Sequence, residues 1–353
     1  MESKQFSHWL LVLVQGLSAV LALLLIFLAE DLCRIDIGVC ACRGDPNEDC
    51  WRDQLAFRTG AAAVVIYALL AGLTLGKSSL LQQRHAVFAL SVVALQCVLI
   101  FLLLFFPNGM FVAVDFFSMF AAAAYRVMQA VLFMDFAYNI NDRLYSSAVE
   151  ARRRLMSSEA YKGRLAVMLC ASALLLLASI GAAIAICHWV PDVTWLVLSA
   201  IGGSAVLLLL SITEWCEHGS LMTSSVMLAY SVYLCYQVAE IRPNTDDLEE
   251  LPTTLFGLLV PAASLAYFAI SRSPARHLAG RGSARVEADD AFDANDFLLR
   301  CGVHFLADFY VTSVLAPRVS WTRFNVRAAT VFVCMALYTW TLVAPKIISS
   351  RNF

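Results

Sequence analysis

An all-α membrane protein of about ten spanning helices is the fold this sequence predicts, and three observations carry that reading. Sixty per cent of the 353 residues are hydrophobic and only 15% are charged, with a mean hydropathy of +0.73. A soluble domain of this length needs far more charge to solvate its surface. The apolar residues fall in blocks of about twenty, each long enough to cross a hydrocarbon core of ~30 Å as a helix. Turn chemistry separates the blocks: Pro107-Asn108-Gly109, Pro191-Asp192, Pro243-Asn244, Pro252 and Pro317. The net charge of -2 gives no support for a nucleic-acid or polyanionic partner.

Read in order, the chain is a single polytopic membrane domain over residues 1–353. Its spans lie at about 8–29, 55–76, 86–107, 110–139, 165–187, 193–212, 220–240, 253–271, 296–315 and 327–348. The first block, His8 to Ala29, is expected to be retained as a helix. Its apolar run exceeds that of a signal peptide, and no small-x-small cleavage pattern follows it. The fourth block continues from Met110 to Tyr161 without glycine or proline. Such a stretch can exceed ~60 Å, about twice the hydrocarbon thickness. It must tilt, project from the membrane, or break near Asn139-Asn141. The eighth block carries Gly257 and Pro261, which predict a kink.

Charge and cysteine placement set the expected topology. With a cytosolic N-terminus, the inner segments collect Lys77, Arg84, Arg152, Arg153, Arg154, Lys162, Arg272, Arg276, Arg281 and Arg285, whereas the outer segments hold few cations. That is the positive-inside bias, and an even number of spans puts both termini in the cytosol. Cys33, Cys40, Cys42 and Cys50 share the outer loop at 30–54. Four thiols in one oxidising loop point to two disulfides, with three connectivities open. Their spacing is a poor match to a zinc finger, so no metal and no cofactor are expected. The segment 272–295 reads as a cytosolic linker rich in Ala, Gly and Ser.

Polar groups inside apolar blocks are the first candidates for function. In the fourth block Arg126 and Asp135 are nine positions apart, on opposite faces at ~100° per residue, so each needs a partner from another helix. Asp135, Asn139 and Asp142 share a face. In the ninth block Arg300, His304 and Asp308 lie four apart on one stripe. The stripe is either a packing cluster with Arg300 reaching the cytosolic interface, or a carboxylate–imidazole relay. The seventh block carries Ser220, Thr223, Ser224, Ser225, Tyr230, Ser231, Tyr233 and Tyr236. These hydroxyls suit either close helix packing or a wet groove. No hydrolase, P-loop or dinucleotide motif occurs, so an enzyme is not expected.

The end of the chain, Leu337-Tyr338-Thr339-Trp340-Thr341-Leu342-Val343-Ala344-Pro345 with Arg351-Asn352-Phe353, resembles the ending of the serine incorporator family. Ser224, Ser225, Val226, Tyr230, Tyr233 and Leu234 resemble its seventh-helix pattern. Gln129 with Met134-Asp135-Phe136-Ala137, and the Phe106-Pro107-Asn108-Gly109 turn, resemble its other landmarks. The chain departs from the family in lacking its cysteine-rich start, in Asn352 for Asp, and in Asp308 for a serine. The resemblance implies two helical bundles bridged by a long tilted helix. It further implies ATP-independent phospholipid scrambling, phosphatidylserine included; the residues expected to line the groove are Gln129, Asp135, Ser224, Ser225, Tyr230 and Tyr233, with Asp308 added from the ninth-block stripe and not from the resemblance. Alternatives are an accessory that delivers serine for phosphatidylserine and sphingolipid synthesis, and a structural membrane organiser. Expected partners are membrane phospholipids, with sphingolipids, sterol or a second copy of the chain as further candidates. The expected location is an endomembrane or the plasma membrane.

Overall fold

The computed structural model describes residues 3–28, 50–76, 86–155, 158–213, 220–241, 250–270, 294–316 and 320–349. Among them are ten α-helices and no strand. They are α1 (Ser3–Phe27), α2 (Cys50–Leu75), α3 (Ala86–Leu103), α4 (Val112–Leu155), α5 (Ser158–Trp189), α6 (Thr194–Ile212), α7 (Leu221–Glu240), α8 (Glu250–Ile270), α9 (Ala294–Leu315) and α10 (Trp321–Ser349). In lipid each backbone amide must find its partner within its own segment, which a helix provides. Eight of the helices are long and apolar enough to cross a membrane. The apolar stretches of α3 and α8, Val87–Leu103 and Gly257–Phe268, are shorter. The cysteine loop, the linker, and the turns at Pro243 and Pro317 lie outside the described residues, as does the side chain of Cys50.

The missing breakers in the fourth block have a direct consequence. Helix α4 runs unbroken through Asn139-Asn141 for 44 residues, a length of about 66 Å. A break at the asparagines is therefore ruled out. A 3-10 turn, Asn108–Phe111, leads into the helix. Pro261 sits inside a continuous α8, and Ser264 Oγ donates to the Pro261 carbonyl at 2.8 Å.

The chain divides into two compact units, one made of residues 1–125 and 249–318, the other of 126–248 and 319–353. In the first, α2 and α9 form the main contact, with α1 against both and α3 against α2. Gly60 makes this contact possible, because a Cβ there would collide with the Thr312 side chain. Gly257 likewise leaves room for Val314, whose Cγ1 would stand 2.7 Å from an added Cβ. The apolar core of this unit includes Leu11, Val14, Ala63, Ile66, Leu70 and Phe297.

In the second unit α7 is central, flanked by α5, α6 and α10. Its core gathers Val193, Val197, Leu234, Val238, Val331 and Cys334. Helix α5 presents Val167, Leu174, Leu177 and Ile184 outward, each more than 60% exposed. Water would not tolerate that apolar face, whereas acyl chains solvate it.

Candidate functional site

Each unit holds a buried polar group. In the second unit it is built on α4 and α7. Arg126 Nε donates to Gln237 Oε1 at 2.9 Å, and Gln237 Nε2 donates to the Tyr233 hydroxyl at 2.8 Å. Arg327 of α10 donates to the Gln237 carbonyl at 2.8 Å. One turn away, the Tyr230 hydroxyl donates to the Arg126 carbonyl at 2.7 Å and to Gln129 Oε1 at 3.3 Å. Phe133 packs its ring on Tyr230. Arg126, Gln129, Tyr230 and Gln237 are buried, while Tyr233, Asp135 and Asn139 are partly open. Asn139 Nδ2 donates to Asp135 Oδ2 at 3.1 Å, so the shared face expected for these two residues is realised.

The serines of α7 make a separate set. Ser224 Oγ donates to Ser211 Oγ at 2.9 Å and lies 2.8 Å from the Tyr338 hydroxyl, tying α7 to α6 and α10. Ser225 Oγ donates to the Met222 carbonyl of its own helix at 2.8 Å. Three of the seven expected groove residues, Gln129, Tyr230 and Tyr233, thus belong to the α4–α7 polar group, while Asp135 bonds to Asn139 of its own helix. Ser224 and Ser225 sit in helix contacts, and Asp308 belongs to the first unit.

In that unit Asp308 lies with residues no local pattern had marked. Gln15 Nε2 of α1 donates to Asp308 Oδ1 at 3.0 Å. Gln15 Oε1 faces His304 Nδ1 at 3.1 Å and accepts from the Tyr67 hydroxyl of α2 at 3.3 Å. The Tyr67 and His304 rings stack with centroids 6.0 Å apart. The carboxylate therefore meets the imidazole through an amide from another helix.

Arg300 does not reach for the cytosolic interface. It is buried, pairs with Asp296 at 3.0 Å, donates to the Phe268 carbonyl at 3.0 Å and lies over the Phe268 ring. Asp296, one turn earlier on α9, gives it an internal counter-ion, so snorkelling is unnecessary.

Sequence reasoning also passed over Arg58. Its guanidinium is fully buried and donates to the Leu103 carbonyl at 2.9 Å, the Phe106 carbonyl at 2.8 Å and Asn108 Oδ1 at 2.7 Å. It also donates to the Gln54 carbonyl and side-chain oxygen of its own helix and lies over the Phe111 ring. The carbonyls ending α3 would otherwise go unpaired in an apolar setting, and this one side chain satisfies them. An arginine one turn into an apolar block was the available signal.

The sequence pattern of the serine incorporator (Serinc) family matches residues 3–293 and 308–351, nearly the whole chain. The chain belongs to the serine incorporator family. In this Serinc chain the α4–α7 polar group falls entirely within matched residues. Residues 294–307, the first two-thirds of α9, lie between the matched stretches. That segment carries Asp296, Arg300 and His304. The chain is an integral multi-pass membrane protein, as its eight long apolar helices and its family together require.

Proposed function

We propose that this serine incorporator is an ATP-independent phospholipid scramblase that passes headgroups, phosphatidylserine among them, along the polar side of α4 and α7. A charged headgroup crossing hydrocarbon needs hydrogen-bond partners throughout its path. The observation that carries the reading is the run of Arg126, Gln129, Tyr230, Tyr233 and Gln237, hydrogen-bonded to one another between two spanning helices. The partly open Tyr233 gives that run an edge where a headgroup can enter. In this view headgroup bonds replace the Tyr230–Gln129 and Tyr233–Gln237 bonds during passage. The covalent chemistry is nil, which makes the protein a carrier and not an enzyme. Its partners are membrane phospholipids, and both termini face the cytosol, as the cation bias favours.

The test is leaflet exchange in liposomes containing the purified protein and a headgroup-labelled lipid, without ATP. Exchange well above that of empty vesicles is expected, and exchange at the empty-vesicle rate defeats the proposal. A second reading, a structural organiser, draws on the Ser224–Ser211–Tyr338 bonds, which are packing contacts. It predicts that Gln129→Leu and Tyr233→Phe alter stability and leave exchange untouched. The scramblase reading predicts slowed exchange in a folded protein. Saturable binding of free serine would favour the accessory role instead.

A further inference from the structure

The cluster of Gln15, Tyr67, His304 and Asp308 belongs to the first unit, shares no residue with the α4–α7 polar group, and holds three titratable side chains in spanning helices. All four are nearly sealed off, with 7%, 1%, 3% and 2% of their surfaces exposed. Gln15 fixes the protons around it. Its Nε2 is a donor and points at Asp308 Oδ1, so its Oε1 must accept from both Tyr67 and His304 Nδ1. His304 therefore carries a proton on Nδ1.

One atom is left over: Asp308 Oδ2 has no hydrogen-bond partner among the described residues, and the Asp308 carboxyl lies near the Tyr67 hydroxyl. Among the described residues no lysine or arginine is bonded to the Asp308 carboxyl. Helix α1 offers only the Gln15 amide, and α2 offers Tyr67, while its Arg58 is spent on the end of α3. Helix α8 gives the Phe268 carbonyl to Arg300, and α4 meets α9 through the rings Phe117 on Phe309 and Tyr125 on Tyr310. On α9 itself, Cys301 is a buried thiol, and Arg300 is bonded to Asp296.

We propose that Asp308, bridged to His304 by Gln15, is a buried proton-binding site whose exchangeable proton sits on Oδ2. A proton there removes a charge that the apolar surroundings cannot solvate. It also turns the one orphan acceptor into a donor directed at the Tyr67 oxygen, whose own proton already points to Gln15. The ring Asp308–Tyr67–Gln15–Asp308 is then closed by hydrogen bonds. The transfer balances simply: loss of the proton leaves one net negative charge where α1, α2 and α9 meet, and its return removes that charge. Ionisation places repulsive work on this three-helix contact, so occupancy of the site couples proton activity to the packing of the first unit.

Infrared spectroscopy of the purified full chain in detergent, with 13C-labelled aspartate, tests the site. At neutral pH the unaltered protein is expected to show the carbonyl band of a protonated aspartate, shifted in deuterated solvent and by the label. Exposed aspartates are ionised there and contribute nothing to that band. Asp308→Ser is expected to abolish the band, and His304→Gln to displace it. If Asp308→Ser does not fold, the labelled unaltered chain still decides. Absence of any protonated-aspartate band at neutral pH overturns the proposal, and so does a band that survives in folded Asp308→Ser.

Discussion

Helices α9 and α7 are the two most enclosed spans of the molecule, with 72% and 67% of their apolar windows buried, yet they spend that enclosure differently. Helix α9 buries ionisable groups: an arginine–aspartate pair, a histidine and a second carboxyl. Helix α7 buries hydroxyls and an amide. A neutral hydroxyl in hydrocarbon can fall back on its own helix, as Ser225 does with the Met222 carbonyl. A carboxyl or guanidinium has more bonding capacity than one helix satisfies, and it recruits further partners from distant chain positions, as Asp308 recruits Gln15 and Arg300 adds the Phe268 carbonyl to Asp296. The polar contacts of α9 therefore involve ionisable groups, and those of α7 are neutral and exchangeable. Exchangeable contacts are what a lipid path requires, since each must yield to a passing headgroup.

This contrast can be broken by substitution. The largest effect is expected at Arg58→Met, which leaves the Leu103 and Phe106 carbonyls without their donor. A loss of roughly 3 kcal/mol or more is expected, read as a steep fall in melting temperature in detergent. Next comes Gly60→Val, which drives a side chain into Thr312 at the α2–α9 contact and should cost about 1–3 kcal/mol by overpacking. In the second unit the expected losses shrink. Tyr230→Phe removes the bonds to the Arg126 carbonyl and Gln129, costing up to about 1.7 kcal/mol, while lipid exchange slows. Ser224→Ala should cost only about 0.6 kcal/mol, the mean for an interhelical side-chain bond in a membrane. A Ser224→Ala loss as large as that of Arg58→Met, measured by the same thermal scans, would erase the distinction between the units.

What the sequence revealed follows the same division. The fold class was legible in block length and hydropathy, because those are the quantities a bilayer selects. The continuity of α4 through Asn139-Asn141 was legible because no glycine or proline interrupts it there, whereas its end at Leu155, inside the same breaker-free stretch, was not. The stripe of Arg300, His304 and Asp308 was legible as a 3.6-residue period. Its partners were not: Gln15 stands alone in the first span, 293 positions from Asp308, and no local periodicity encodes such a meeting. Arg300 misled in the opposite sense. Its place near a span end suggested an interfacial role, while Asp296 one turn earlier already supplied a buried counter-ion. The α7 serines read equally well as packing or as a wet wall, and their hydrogen bonds put Ser224 with packing.

The first unit is assembled from two stretches of chain separated by more than a hundred residues. During synthesis α1, α2 and α3 enter the membrane long before α9 exists. Until then Gln15 and Tyr67 lack His304 and Asp308, and Gly60 leaves a bare notch facing lipid. The nascent protein must therefore carry an unfinished half through most of its translation. A chain cut before residue 294 would keep those polar groups stranded, offering cellular quality control a ready mark of incompleteness. The site at Asp308 is thus the closing stitch of its unit.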